Sequence, residues 1–509
     1  MVGNIQHLNV FSNCFSPSIN SFQGKSMLDV ITSFLTAVFF ILISYSPPWQ
    51  SKKTDYFKSK DVHDIPGPLS LPLLGTRWLF TIGRYHIKKI PDFYKEMHQV
   101  YGKIFKEEAL FNIPVISVFE REDIEKVLKS SGKYPVRPPT EAIAKYRREH
   151  PERYASAGLT NEQGEKWHFL RTSLTTVLTS PKTIHDFLPQ MEEVADDWCH
   201  LIKQKRDKEG YINNLDELAG RLGLEATCAL VLGRRMGFLI EDRKCEVAEK
   251  LSESVHQNFI ACRDTYFGLP LWKVFPTSAY NRLCESEKAI YEFASELIRT
   301  ADDATRESAV FQSVLNAHID EREKKSAIVD FLAAGIHTLK NSLLFLLYQV
   351  AMNPECQNKI IEDSTKSYLK ACSLETFRLS PTVNSLARVI DSDMELSGYH
   401  VSAGSVVLCH TALACQNDCY FKEATKFRPE RWLNEEKTNT ASSAAYLVTP
   451  FGYGKRICPG KRFIEQVLPV ILDKMVQAFE IRVEKPMELE FEFLLSPKGH
   501  VRMNFKDRV

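Results

Sequence analysis

Between Ala327 and Met352 apolar residues occupy every side of a helical wheel, and the run stops at Asn353-Pro354. A helix that is apolar all round has to be enclosed, either by other protein or by lipid. Asp330, His337 and Lys340 lie inside the run and oppose a lipid span, which predicts the central helix of a large core. The chain has the material for one, with 509 residues, 44% of them hydrophobic, and 65 Lys plus Arg against 64 Asp plus Glu. That composition excludes disorder. The net charge of +1 supplies no global field for nucleic acid, which is not an expected partner.

Apolar spacing is mostly helical from about Lys88 to Leu347, with charged faces such as Met191 to Lys208 and Asp302 to Lys325. Near the carboxyl end Leu489, Phe491 and Phe493 alternate with glutamates, and Ser496 to Gly499 supplies a turn. Val501, Met503 and Phe505 then alternate back, which predicts a β-hairpin. The polar stretch Asn434 to Ala445 is expected as an exposed loop. The expected fold class is therefore mainly α with a small β portion. Within the central helix, Gly335 in Ala333-Ala334-Gly335-Ile336-His337-Thr338 costs about 1 kcal/mol against Ala. Either a close helix crossing or a buried ligand has to offset that cost, so Gly335, His337 and Thr338 are candidate site residues.

The amino-terminal part divides into a leader, residues 1–28, and an anchor and linker, residues 29–64. The leader holds no Asp or Glu and one Lys, Lys25, with frequent Ser and Asn. That suits a transit peptide, although the first arginine of the chain is Arg77. From Val30 to Ser51 there is no charge, and the apolar run Val30 to Tyr45 is a membrane-anchor candidate. Sixteen helical residues reach ~24 Å against a ~30 Å hydrocarbon core, a marginal span. Lys52, Lys53, Lys58 and Lys60 form a basic flank suited to the cytoplasmic or matrix side. A buried ordinary helix is the competing reading. Three prolines between Ile65 and Pro72 make a stiff entry into one domain, residues 65–509.

The twelve cysteines include no C-x-x-C pair, which argues against a zinc ribbon, a thioredoxin-like site and a disulfide scaffold. One of them, Cys458, sits in the glycine-punctuated loop Phe451-Gly-Tyr-Gly454-Lys-Arg456-Ile-Cys458-Pro-Gly460, just before a helical run from Lys461 to Phe479. Glycines let backbone lie close to a flat cofactor and turn amide hydrogens toward a sulfur, and the following helix adds its positive end. Arg456 is placed to reach a carboxylate. Nucleotide-binding readings fail, because Lys455 is followed by arginine and no third glycine stands at dinucleotide spacing.

This loop matches F-x-x-G-x-R-x-C-x-G at every fixed position, and so resembles the cytochrome P-450 monooxygenases. Glu375-Thr-Phe-Arg378 and Phe427-Arg-Pro-Glu-Arg431-Trp432 resemble two further elements of that family, in order. The likeness runs from about Ile65 to Val509 and implies the triangular haem-thiolate fold, with Glu375, Arg378 and Arg431 as a buried ion-pair network. It implies haem b whose iron takes Cys458 as axial thiolate, in a loop bounded by Phe451 and Gly454. Trp167, Arg171, Arg388 and Arg456 fall where propionate partners are expected. It further implies a dioxygen-dependent hydroxylation in which Thr338 holds a water or dioxygen and helps deliver protons. The residue before that threonine, usually acidic in the family, is His337 here, and an imidazole can also relay protons. Glu375 follows Thr338 by only thirty-seven positions, a short connection for a eukaryotic relative.

Gly460-Lys461-Arg462 and Lys370 resemble the mitochondrial clade, which takes electrons from a ferredoxin, although Leu374 stands where a second docking lysine is expected. Tyr134-Pro-Val-Arg-Pro-Pro-Thr-Glu, the stretch Tyr146-Arg-Arg-Glu-His-Pro-Glu-Arg-Tyr154, Asn161-Glu-Gln-Gly164 and Leu74-Gly-Thr-Arg-Trp78 resemble the arthropod ecdysteroid hydroxylases of that clade. The implied substrate is an ecdysteroid steroid, ecdysone going to 20-hydroxyecdysone, with membrane lipid as a partner. The implied location is the matrix side of the mitochondrial inner membrane. Two alternatives stay open. One is a microsomal sterol or xenobiotic hydroxylase in the endoplasmic reticulum, fed by a flavoprotein reductase. The other is a haem-binding protein or splice product without turnover.

Overall fold

The computed structural model describes residues 60–508 apart from 82, 131, 241 and 300–307. The leader, the run Val30 to Tyr45 and the basic flank as far as Lys58 lie outside the described residues, as does the start of the charged face Asp302 to Lys325.

The central helix forms as its pattern predicts, over Glu321–Met352. Asp320 caps it, accepting from the Arg322 amide, and Asn353-Pro354 ends it. Leu343, Leu344, Leu346 and Leu347 are fully enclosed. Each such side chain contributes ~1.5–3 kcal/mol of burial. The enclosing elements are protein: this helix packs against a second nearly all-buried helix, Leu215–Leu232. They meet at two glycines. A Cβ on Gly335 would stand 2.5 Å from Thr227 Oγ1, and one on Gly223 would stand 2.7 Å from the Ile336 carbonyl oxygen. Close helix crossing is therefore what offsets the cost of Gly335, and its small size is used against Thr227.

Asp330, a charge that opposes a lipid span, is partly covered and pairs with the buried Arg147 from the helix Glu141–Glu149. Arg147 Nη2 and Asp330 Oδ1 are 2.5 Å apart, and Glu287 Oε2 lies 3.6 Å from the same nitrogen. This ion triad ties the stretch Tyr146 to Tyr154 onto the central helix.

The β portion is split into small sheets. The largest orders its strands Ile104–Glu108, Pro114–Val118, Val406–Cys409 and Leu386–Val389, with the middle pair parallel and the outer pairs antiparallel. Its last strand carries Arg388, and an isolated bridge from Val136 to Val389 brings the segment of Arg137 beside it.

Two expectations are corrected. The stretch Asn434 to Ala445 is a helix, Asn434–Leu447, with Thr440 and Leu447 buried. It is polar by composition, yet it rests on Pro429–Trp432 and on the helix Arg121–Lys129, so tertiary contact decides its state. The terminal hairpin is tighter than its turn chemistry suggests: Leu489–Phe491 pairs with Leu495–Pro497, and Met503–Asp507 pairs instead with Phe479–Arg482 and Tyr211–Ile212. Its turn is Glu492 to Leu494, where Phe493 holds φ at 73° without a glycine. Gly499, φ 70°, sends the chain onward to the other sheet.

Candidate functional site

The loop before the helix Lys461–Ala478 is closed by its own backbone. The Cys458 amide donates to the Phe451 carbonyl at 2.8 Å, and the Ile457 amide donates to the Gly454 carbonyl at 3.0 Å. Gly454 holds φ at 70°, a left-handed conformation that costs a side-chain-bearing residue ~1–2 kcal/mol. Phe451 packs edge-on against Phe377 of the helix Ser367–Leu379, centroids 5.2 Å apart, which seats the loop on the core. Cys458 itself is uncovered, although burial around it pushes its thiol up. Opposing that push are the amides of Gly460 and Lys461 and the charges of Arg171 and Arg137. The sulfur is thus open to a ligand on one side, with donors on the other that favour a thiolate.

Around it converge four guanidinium groups. Trp167 and Arg171 lie four residues apart on the helix Gly164–Thr175, so they share a face. Arg171 Nη2 donates to the Ile457 carbonyl at 2.8 Å. Arg456 lies over the Trp167 ring at 3.8 Å from its centroid, donating to the Pro135 and Glu162 carbonyls, each at 2.9 Å. Arg388 Nη2 donates to the Tyr453 carbonyl at 3.1 Å. The fourth, Arg137, escaped the sequence reading because it stands between prolines in a loop without periodicity. Arg456 is pulled down to about 9, by burial first and then by Arg137, Arg388 and Arg171. Burial is likewise the leading downward pull on Arg137, Arg171 and Arg388.

Such a concentration of buried positive charge calls for anionic partners. Arg456 Nη1 and Arg388 Nε are buried donors with no partner among the described residues. A thiol facing backbone amides, beside guanidinium groups with donors to spare, fits a haem: the sulfur as axial ligand, the arginines for its two propionates.

On the central helix, Ala334 is exposed although Leu332, Ile336 and Leu339 beside it are buried. Thr338, one turn on, is half-buried and its hydroxyl donates to the Ala334 carbonyl at 2.6 Å. An open face therefore runs along Ala334 and Thr338. The structure does not bring His337 to that face. Its ring is enclosed, stacked on Phe259 at 4.8 Å, with Nε2 3.6 Å from Glu492 Oε2. Burial and Lys340 push its pKa well below the usual imidazole range, so it stays neutral near pH 7 and is a poor proton carrier. Gly335 is turned toward Thr227, so its catalytic assignment is replaced by the helix crossing.

Beneath the loop the Glu375, Arg378 and Arg431 network is complete. Glu375 and Arg378 meet at 2.8 Å, and Glu375 and Arg431 at 3.0 Å, all three enclosed. Trp432 Nε1 and the Arg428 amide also donate to Glu375, each at 2.9 Å. Arg378 donates further to the Cys415 and Ala424 carbonyls at 2.7 and 2.6 Å. The short connection from Thr338 to Glu375 closes through the helix Pro354–Glu362 and a tight turn at Lys366, φ 56°.

The fold and this pocket define a haem-thiolate monooxygenase, and the chain belongs to the cytochrome P-450 family, whose model matches residues 65–504. Among curated relatives it is 43% identical to the ecdysone 20-monooxygenase of Drosophila melanogaster, over 89% of this chain and 90% of that protein. It is 31% identical to a probable cytochrome P-450 of Caenorhabditis elegans, over 87% and 93% of the two chains. A Drosophila melanogaster cytochrome P-450 named as mitochondrial is 27% identical over 83% of this chain and 90% of its own length.

Proposed function

We propose that this monooxygenase hydroxylates an ecdysteroid, converting ecdysone to 20-hydroxyecdysone with electrons from a ferredoxin on the matrix side of the mitochondrial inner membrane. The observation that carries the substrate is the 43% identity, spread over 89% of the chain, to an ecdysone 20-monooxygenase. One C–H bond and one O=O bond break, two electrons and two protons enter, and alcohol and water leave. Haem, when bound, supplies the oxidising chemistry.

The chain's own residues supply the setting. Cys458 would be the iron ligand, and Arg137, Arg171, Arg388 and Arg456 would hold the propionates, with Trp167 supporting Arg456. Thr338 Oγ1 lies at the open helix face, where its hydroxyl would hold and pass a proton during oxygen activation. Ala334 keeps that face free for the steroid. Exposed Lys370, with Lys461 and Arg462 after the Cys458 loop, offers a basic surface to an acidic ferredoxin. Leu271, Val274 and Phe275 are exposed, Val274 at 86%, an apolar surface suited to lipid.

The test is turnover of ecdysone by the full chain loaded with haem, with oxygen, reductant and either ferredoxin or flavoprotein reductase. Side-chain-hydroxylated product with ferredoxin supports the reading. Product with the reductase alone would favour the microsomal alternative, toward which the anchor-like run Val30 to Tyr45 points.

A further inference from the structure

A second polar cluster lies away from Cys458, where three elements meet. His256 stands on the helix Asp242–Phe267, His337 and Asn341 on the central helix, and Glu492 and Ser496 on the terminal hairpin. Glu492 Oε1 is 2.8 Å from His256 Nε2, and its other oxygen faces His337. The His256 and His337 rings stack at 5.5 Å. Asn341 Nδ2 donates to Ser496 Oγ at 2.8 Å and to the Leu495 carbonyl at 3.2 Å. From the helix of His256, Arg263 Nη1 donates to the Phe491 carbonyl at 3.1 Å.

Every one of these bonds grips the same short hairpin. At its tip Phe493 holds a left-handed φ of 73°, a conformation that persists only where its surroundings fix it. The helical turn that grips it, His337 to Asn341, is the one that carries Thr338. The clasp is charged on one side. Burial pulls His256 down, but acceptance by Glu253 and Glu492 more than offsets this and raises it to about 9, with Lys340 opposing. His337 stays neutral between the pair and Phe259.

We infer that Glu492 is a positioning residue for hydroxylation: clasping His256 and His337, it fixes the strained Phe493 turn against the helical stretch that carries Thr338, so that its loss misplaces substrate without releasing haem. The choice of probe rests on the ecdysteroid reading; the clasp itself does not.

The test uses the haem-loaded full chain with Glu492→Gln, His256→Gln and the double variant. Each is expected to keep the thiolate spectrum of its carbon monoxide complex. Each is expected to weaken the ecdysone-induced spin shift by about tenfold, the scale of one hydrogen bond to a charged group. The share of electrons reaching product falls with it. Because the two residues act as one unit, the double variant should lose no more than either single one. A merely local role predicts additive losses, and that result, or unchanged affinity and coupling, overturns the inference. If the unaltered chain shows no ecdysone shift, the substrate reading fails by itself. Hydrogen exchange without substrate then decides the clasp: faster exchange in Glu492→Gln at both the hairpin turn and residues 337–341 supports it, and unchanged exchange refutes it.

Discussion

Arg137 and His337 show the reach of single residues in this chain. Cys458, Arg456, Trp167, Arg171 and Arg388 were legible because each stands at a fixed distance from a recognisable motif. Arg137 was not, since nothing local in Tyr134-Pro-Val-Arg137-Pro sends its side chain toward Cys458. The isolated bridge from Val136 to Val389 does that, and such a pairing is tertiary. Arg137→Leu should therefore weaken haem retention by about tenfold, one charge-assisted hydrogen bond, with the thiolate spectrum preserved in the protein that stays loaded. Haem titration of the apoprotein reads this, and unaltered affinity would remove Arg137 from the propionate set. The place of His337 beside Thr338 in the sequence suggests a proton relay. Neighbours on a helix point about 100° apart, and its ring went into the core. Because burial keeps that ring neutral, His337→Gln should leave the shape of the pH dependence of coupling between about pH 6 and 8 unchanged. A lost inflection would return His337 to proton transfer.

At the level of elements, patterns that pair a period with enclosure were reliable, and those that relied on composition were not. The central helix follows from apolar residues on all its sides. The helix Asn434–Leu447 does not follow from polar residues whose helical state depends on what they rest against. The hairpin turn lacks glycine and proline, so Ser496 to Gly499 drew the expectation four residues downstream. Two predictions belong here. Arg378→Ala should cost ~3–5 kcal/mol, because Glu375 is left enclosed with one fewer partner; urea unfolding measures it, and a loss under ~1 kcal/mol would contradict the network's structural role. At the end of the largest sheet, His410 is enclosed, 3.0 Å from Ser117 Oγ and stacked on Phe119. Burial, helped by His98, lowers it to about 3. The unfolded chain takes up this proton near pH ~6.5 and the folded chain only near 3, so stability declines as pH falls through that window. His410→Phe should lose less stability than the unaltered chain between about pH 7 and 5. An identical decline would show that other groups govern acid unfolding.

Across the whole molecule, the family was legible from three short motifs, the Cys458 loop, Glu375 to Arg378 and Phe427 to Trp432, because a thiolate loop and a buried ion network need particular residues at particular spacings. Substrate and membrane were not legible from physics. The open face along Ala334 and Thr338 does not by itself specify a substrate, and the proposed one rests on identity to an ecdysone 20-monooxygenase. The central claim is that Cys458 presents a thiolate to haem iron within a ring of arginines. Its most direct test is the carbon monoxide difference spectrum of the reduced full chain beside that of Cys458→Ala. The account predicts a thiolate Soret band in the first and its loss in the second. A thiolate band that survives in Cys458→Ala, or haem bound to the unaltered chain without that band, would contradict it.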